Sequence, residues 1–431
     1  MRFSVLPWRS SPALWLPPIG IVCVMVYAAT YVHPVDYAGY LPAAIGNAGF
    51  FLLFSCAVAA ISSAIEIARL RRSGMIAVPQ ARSSNRTMIA VLSKSVVGAL
   101  VVQVFGIVWL IVSYPPVGGD LPWIVIAMYV TVIAFHAMLG ALLGALLPWV
   151  VAAAAALTAS YCWLGFTQAM PFPAGRYLSG VIVVQCCTVD TALTPGPIAV
   201  TVAFAAVSAF LFFALVRTLV TTARSRRRRR ASVVLRVLTA WVAAILVTLL
   251  LPITQTYTPV QDRTDSELLC DGTAPRSCLF PEVAADGTVR RTIDTMWTNL
   301  TDLGLTVPPD ITGARGDSTP ESVHMAIRAG MTPSEVVYSF TSSLLPATGV
   351  AYCDESDYQQ RQTAAYVAEL WIEEKGGHGM DIGAIQTQAH DADGEYAPFR
   401  TVPIESQVHW VTATLPILGT CDRPVPAFPT S

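Results

Sequence analysis

Residues 224–251 read RSRRRRRASVVLRVLTAWVAAILVTLLL. The stretch opens on a block of arginines and continues as an almost uninterrupted apolar run, long enough for a helix to cross the roughly 30 Å hydrocarbon core of a bilayer. Because positive charge beside a span is retained in the cytoplasm, the block predicts a helix that runs outward. The stretch therefore divides the chain into a hydrophobic half and a polar half that lies outside the cytoplasm.

The composition of the chain excludes an ordinary soluble protein. Of its 431 residues, 54% are hydrophobic and 13% are charged, whereas about a quarter of the residues in soluble domains are charged. Residues 1–252 hold 17 Lys and Arg against 4 Asp and Glu, and residues 253–431 hold 10 against 24, so the halves carry +13 and −14. A basic tract beside a membrane marks topology and contact with anionic lipid, so we expect no nucleic-acid partner.

Seven apolar segments are predicted to span the membrane, at residues 13–32, 48–68, 91–113, 122–144, 148–168, 197–220 and 231–252. Among the positive charges before residue 253, only Arg176 falls in a segment assigned to the outside, so the N-terminus is expected in the cytoplasm. The expected fold is an α-helical polytopic protein of the cell membrane. A transmembrane domain at residues 1–252 precedes a mostly α extracytoplasmic domain with minor β at residues 253–431. Glu66 and Arg69 are three apart at the cytoplasmic end of the second span, so they share a helix face and can pair there.

The polar half shows helical signals at four places. A stripe of apolar residues, Ile293, Met296, Trp297 and Leu300, predicts a helix that ends near Gly304. Thr319-Pro320 and Thr332-Pro333 each place a helix N-cap before a proline, and a further helix is predicted over about residues 356–375. Weak strand character is found at residues 381–388 and 407–414.

The nine cysteines separate at the same boundary. Three lie in the apolar segments, where small buried hydrophobic residues are expected: Cys23, Cys56 and Cys162. Cys186 and Cys187 lie in a loop. The polar half holds an even set, which fits disulfides outside the cytoplasm: Cys270, Cys278, Cys353 and Cys421. Because the loop from Cys270 to Cys278 is short, we favour that pair together with Cys353–Cys421; a zinc site is the alternative, but no CxxC or HxxxH spacing supports it.

No catalytic motif is visible. The sequence contains no GxxxxGK[ST] loop, no HExxH and no GxSxG, so we predict no enzyme, no catalytic residue and no cofactor. His136 is the one histidine in a predicted span and is expected to be a hydrogen-bonded core residue. A metal site built from the scattered histidines of the polar half stays an alternative: His324, His378, His390 and His409. No carboxylate lies near the middle of a span, which argues against an ion-driven carrier and against hydrolysis within the membrane.

The first six spans resemble, in their topology, the membrane subunit of an ABC transporter of the exporter-type permease class. The resemblance covers residues 1–222 and rests on a basic cytoplasmic segment after the second span, a tight turn between the fourth and fifth, and a partly apolar outer loop before the sixth. It implies that the basic segment contacts the ATPase, through Arg69, Arg71, Arg72, Met75, Ile76, Arg82 and Arg86. It implies that the outer loop closes the path on its outer side, through Arg176, Tyr177, Cys186 and Cys187. The seventh span and the outer domain depart from that class.

The leading hypothesis is therefore a non-enzymatic permease subunit that works as a homodimer or heterodimer with a separate ATPase in the lipid bilayer. In the basic segment, Met75 and Ile76 supply the apolar anchors that a docked helix would bury, although a loop that only sets topology is the competing interpretation. A membrane-anchored sensor or accessory protein, whose acidic outer domain binds a ligand or a protein, is the alternative. A membrane-bound hydrolase is a third hypothesis, and no catalytic constellation supports it.

Overall fold

A computed structural model describes residues 11–31, 39–73, 84–181, 187–221, 227–254, 256, 259–285, 287–316, 318–319, 321–346, 349–380 and 393–429. The chain forms two compact units. The first comprises Met1–Tyr37, Leu41–Cys187 and Ala192–Gln261, and the second comprises Ala38–Tyr40, Thr188–Thr191 and Asp262–Ser431. The second unit therefore contains two short segments from the hydrophobic half of the sequence besides the polar half itself.

The first unit is helical. Its helices are α1 (Pro12–Tyr31), α2 (Leu41–Asn47), α3 (Leu52–Arg72), α4 (Ser84–Ser113), α5 (Trp123–Leu146), α6 (Trp149–Gln168), α7 (Pro173–Arg176), α8 (Pro195–Thr221) and α9 (Arg227–Leu250). A 3-10 turn, Ala48–Phe51, joins α2 to α3, and strand β1 (Thr191–Leu193) pairs with β2 (Val260–Asp262). Within the described ranges, seven helical stretches are long and apolar enough to cross a membrane, and each coincides with a predicted segment. The second stretch begins earlier than predicted, at Leu41, because α2 and the 3-10 turn extend it.

The first unit carries apolar side chains on its outside as well as inside. Of the large apolar side chains that are exposed in the described part of the chain, all but Leu269, Tyr338, Tyr352 and Ile404 belong to this unit. Soluble proteins do not expose contiguous apolar surface of this kind. The exposed surface is that expected of helices that face lipid.

One part of the core of the first unit is made of small residues on three helices, beside large buried side chains such as Phe51 and Phe135. On α5, a Cβ added to Gly140 would lie 2.0 Å from the carbonyl oxygen of Ala60, and one added to Gly144 would lie 2.3 Å from that of Ala64. Both alanines are on α3, and the same pair packs with Ala152 and Ala156 of α6. The four-residue spacing places each set on one helix face, so the backbones approach closely, as in small-residue contacts between membrane helices.

The pairing that the sequence allows between Glu66 and Arg69 is not present among the described residues. Glu66 is 3% exposed and accepts a hydrogen bond of 2.7 Å from the hydroxyl of Ser11, and no ion pair joins it to Arg69 in the described part of the chain. Sharing a helix face made the pair possible, but the carboxyl is buried where the start of α1 supplies another donor. Local spacing alone did not decide the partner.

The second unit combines a small sheet with helices. Its strands are β3 (Leu269–Asp271), β4 (Arg276–Leu279), β5 (Asp310–Thr312) and β6 (Ser322–His324), in that order, with β3–β4 antiparallel and the other pairs parallel. Its helices are α10 (Pro281–Ala284), α11 (Thr288–Asp302), α12 (Pro333–Leu344), α13 (Glu355–Gly376), α14 (Asp393–Phe399) and α15 (Ile404–Thr414). The core holds large side chains, including Phe340 and Trp371, and the indole of Trp371 donates to Gln407 at 2.7 Å.

Three predicted helices of the second unit are present and one is not. The apolar stripe lies on α11, Thr332 and Glu335 form the capping box of α12, and the predicted helix over residues 356–375 is α13. Thr319 instead accepts hydrogen bonds from the amides of Glu321 and Ser322, so its capping chemistry forms a turn that leads into β6. The turn forms in place of the predicted helix, and Val323 of β6, which follows it, is buried in the sheet.

One predicted strand is a helix. Residues 407–414 lie in α15, where Gln407, Trp410, Val411 and Thr414 are buried at helical spacing. Two of these four residues are polar, so the apolar pattern of the sequence did not show the helical period. The other segment with strand character, residues 381–388, lies outside the described residues.

Candidate functional site

The expected docking segment begins at the end of α3. Of its seven residues, the structure describes Arg69, Arg71, Arg72 and Arg86, whereas Met75, Ile76 and Arg82 lie outside the described residues. Arg71 stands out because its guanidinium donates to the carbonyl oxygens of Ala145 at 2.7 Å and Leu147 at 2.8 Å. These carbonyls end α5, where no following turn supplies amide donors. A cation here also interacts favourably with the negative end of the helix dipole.

Arg71 therefore ties the end of α3 to the end of α5. The two helices also meet at Gly140 and Gly144, where their backbones are in contact. The hydrogen bonds of Arg71 and this backbone contact therefore join α3 and α5 at two places along their length. The sequence marked Arg71 only as one positive charge among several, since the carbonyls that it binds are 74 and 76 residues away.

The expected outer loop is anchored at its start. Tyr177, which follows α7, is buried, and its hydroxyl lies 2.9 Å from that of Thr256 and donates to the Thr256 carbonyl at 3.1 Å. Burial raises the pKa of Tyr177, and the hydrogen bond with Thr256 opposes that shift. The carbonyl of Arg176, another expected loop residue, accepts from Ser179 at 2.7 Å. Cys187 is disulfide-bonded, and Cys186 lies outside the described residues.

Two buried polar side chains inside the first unit, His136 and Gln103, bond to neighbouring elements, although Nε2 of His136 has no hydrogen-bond partner among the described residues. His136 of α5 is fully buried, and its Nδ1 lies 2.8 Å from the hydroxyl of Ser160 on α6. Gln103 of α4 accepts from Ser55 at 2.9 Å and donates to the carbonyl of Ala48 at 2.8 Å. Both groups join neighbouring helices. They have the geometry of core hydrogen bonds, with no exposed surface for a solute.

The cysteines of the second unit lie in the two pairs that the sequence favours. Cys270 and Cys278 are directly opposite each other on β3 and β4, and their sulfurs are 1.97 Å apart. The sulfurs of Cys353 and Cys421 are 1.96 Å apart and close a loop with a sequence separation of 68 residues. The first pair fixes one hairpin, whereas the second joins the start of α13 to the segment after α15.

Helix α13 carries three carboxylates with contrasting environments. Burial, followed by the charge of Glu369, raises the pKa of Glu373 to about 7, and burial also raises that of Glu369. Burial opposes the ionisation of Glu374, but Lys375, Tyr396 and Arg400 outweigh it and lower the Glu374 pKa. Tyr396 donates to Glu374 at 2.8 Å, and Arg400 lies 3.0 Å from the same oxygen. Glu374 is the carboxylate that is ionised and paired with cations, whereas Glu369 and Glu373 share one helix face and form no ion pair with any residue that the structure describes.

The described histidines of the second unit, His324, His378 and His409, are not assembled into a metal site, and His390 lies outside the described residues. Among the described residues, no three His, Cys, Asp or Glu side chains lie where they could hold a metal ion. The ring of His324 is instead 3.1 Å from the carbonyl of Ala314. His409 lines an open groove of about 410 Å³ along α15, together with Glu405, Ser406, Trp410, Ala413, Pro426, Ala427 and Pro429.

Comparison with known proteins places one part of the chain. The family described as Domain of unknown function (DUF7224) matches residues 277–421. The match begins within β4 and ends at Cys421, so it lies entirely within the second unit. No curated protein and no solved structure matches the chain.

Proposed function

We propose that the chain is the permease subunit of an ABC transporter, which forms a membrane path as a dimer and is driven by a separate ATPase. One observation carries the proposal: Arg71, where the basic segment begins, donates hydrogen bonds to carbonyls at the end of α5. In this proposal α3 and α5 therefore move as one rigid element. A permease has to receive a push from its ATPase through an element that extends rigidly into the helical unit. The small-residue contact between α3 and α5 supplies that rigidity.

A membrane location is supported by the outward-facing apolar side chains of the seven helical stretches. The connections of the first unit support a shared side for the ends of the first and third stretches, and likewise for those of the fifth and seventh; because successive spans alternate in direction, the proposal places all four ends on one side. The amide of Leu41, after the first stretch, donates to Gly118, after the third, and Tyr177, after the fifth, bonds to Thr256, after the seventh. That side is the outside of the cell in this proposal, because the arginine block precedes α9 and the disulfides lie beyond it.

The topology is tested with a reporter that is active only in the cytoplasm, fused after Ser431. We expect no signal from this fusion and a strong signal from a fusion placed within residues 74–83. A strong signal after Ser431 would overturn the proposed orientation.

The coupling to an ATPase is tested on the apolar residues of the basic segment. Met75→Asp/Ile76→Asp is expected to abolish copurification of an ATPase that carries a GxxxxGK[ST] loop from native membranes, because a docked helix would bury both side chains. The matched control, Met75→Leu/Ile76→Val, keeps the segment apolar and should copurify at the wild-type level. If the aspartate variant inserts normally and still recovers the ATPase at that level, the docking assignment is wrong.

A membrane-anchored sensor is a second candidate function, favoured by the groove along α15. Its volume of about 410 Å³ is in the range that small ligands fill, and it lies in the unit that carries the acidic half of the sequence. The copurification experiment separates the two functions. Recovery of no ATPase with the wild-type chain, together with binding of a small molecule to the second unit, would favour the sensor.

A further inference from the structure

Arg263, directly after β2, has the most heavily engaged guanidinium of the described residues. Its side chain is 7% exposed. Its Nε and Nη2 donate to Glu267 at 3.0 and 2.8 Å, and its Nη1 donates to Glu282 at 3.1 Å and to the carbonyl of Val189 at 2.8 Å. The guanidinium carbon also lies 5.1 Å from the ring centre of Tyr40 and 4.3 Å from that of Phe280.

These contacts join the three stretches of chain that build the second unit. Tyr40 comes from Ala38–Tyr40, Val189 from Thr188–Thr191, and the two glutamates from Asp262–Ser431. The main chain repeats the connection, since the amide of Arg263 donates to the carbonyl of Asp190 at 2.8 Å. Both short segments therefore contact one side chain, that of Arg263, in addition to their other contacts.

A buried charge is a costly way to gain stability alone. A buried ion pair is often no more stabilising than apolar residues of the same volume, and its best-attested role is to specify one arrangement. Burial opposes the charge of Arg263, but the hydrogen bonds to Glu282 and Glu267 raise its pKa overall, so the residue stays a cation. The charge of Arg263 lies where the three segments meet. This location indicates that Arg263 fixes the positions of the two short segments relative to the third.

We propose that Arg263 is a clasp through which the outer domain controls the loops at Tyr40 and Val189. Tyr40 directly precedes α2, which continues into α3, and Thr191 begins β1, which leads into α8. Both α3 and α8 pack against α5. A change in the outer domain that moves Arg263 therefore shifts two loops whose helices meet at the same central helix. That these loops close the outer side of a transport path rests on the proposed permease function, whereas the clasp itself does not.

The test is hydrogen exchange measured by mass spectrometry on the full chain in lipid nanodiscs. Arg263→Gln should raise exchange by about tenfold or more in peptides that cover residues 38–41 and 188–194, in line with the loss of charge-assisted hydrogen bonds, while α13 keeps its protection. The matched control is Arg315→Gln, because Arg315 makes only a 3.5 Å ion pair to Asp262 and both side chains are more than 60% exposed. Unchanged loops, or faster exchange throughout the second unit including α13, would overturn the proposal.

Coupling between the two loops is tested separately, with a variant that keeps Arg263. Tyr40→Ala should raise exchange at residues 188–194, because Tyr40 and Val189 contact the same guanidinium. In the Arg263→Gln background, Tyr40→Ala should cause no further increase. Additive effects of the two substitutions would show that the loops are held independently. Neither readout depends on ATPase recovery, so failure of the clasp and failure of the permease function are distinguishable.

Discussion

Both units bury large side chains, Phe135 and Tyr129 in the first and Phe340 and Trp371 in the second, but they differ in how closely their backbones approach and in their covalent links. At the centre of the first, Gly140 and Gly144 bring two helix backbones into contact, whereas the second adds two disulfides. Burying large apolar side chains drives folding in water but gains little when the surroundings are as apolar as the interior. The difference teaches that close backbone packing matters more for the first unit, whose proposed surroundings are lipid, and that burial of apolar side chains matters more for the second, whose proposed surroundings are water.

The largest effect is expected from removing the long-range disulfide of the second unit. Cys353→Ser/Cys421→Ser should lower its free energy of unfolding by about 4 kcal/mol, because the bridge closes a separation of 68 residues. Cys270→Ser/Cys278→Ser, with a separation of 8, should cost only about 2 kcal/mol. Pulse proteolysis of the full chain in urea measures both. Equal losses of unfolding free energy in the two double variants would contradict the expected dependence on loop length. A loss that extends to the first unit would contradict the expectation that the disulfides stabilise only the second unit.

The close contact of the first unit predicts a penalty for the smallest possible addition. Gly140→Ala places a methyl group 2.0 Å from the Ala60 carbonyl, so we expect a loss of about 3 kcal/mol in thermal unfolding of the chain in nanodiscs. Gly165→Ala on α6 is the matched control, since a Cβ there meets nothing within 4 Å. Two variants of equal stability would mean that backbone contact does not hold this unit.

A smaller loss is expected when the link between the ends of α3 and α5 is cut. Arg71→Gln removes charge-assisted hydrogen bonds to Ala145 and Leu147, which should cost about 1.5 kcal/mol at this exposed site. Arg72→Gln changes the same charge at the next, exposed position and should leave the melting temperature of the nanodisc sample within error. If the two variants melt at the same temperature, the hydrogen bonds of Arg71 do not stabilise the link between α3 and α5.

The smallest effect concerns pH and should be confined to the second unit. The folded pKa of Glu373 is raised from 4.5 to about 7, so its contribution to stability is present below about pH 4.5 and is lost as pH rises through about 7. Glu373→Gln should therefore gain about 1 kcal/mol over wild type at pH 8 and nothing at pH 4.

Glu374 supplies the control of opposite sign. Because its folded pKa is lowered, its contribution is present above the unfolded value and is lost as pH falls. Glu374→Gln should destabilise the second unit at pH 7 and converge with wild type in acid. Parallel pH profiles for the two variants in urea denaturation would show that the carboxylates do not differ as described.

Most elements with strong local signals were predicted correctly from the sequence, apart from the helix expected after Thr319, and an element with mixed signals was not. The seven apolar stretches and the capping box at Thr332 lie where expected, because length, apolarity and capping chemistry are local properties. Helix α15 was predicted as a strand because Gln407 and Thr414 occupy buried positions. Their polar side chains conceal the helical period, and the hydrogen bond from Trp371 to Gln407 that makes burial acceptable is a tertiary contact.

The candidate sites depended still more on the folded chain. The sequence by itself determined the seven apolar helices, the division of charge and an even set of cysteines in the polar half, since each follows from composition along the chain. Only the tertiary structure decided that Arg71 caps α5 and that Arg263 joins Tyr40 to Val189. The local sequence around an arginine does not reveal its partners. Its role is set by which distant carbonyls and carboxylates the fold brings within hydrogen-bond distance.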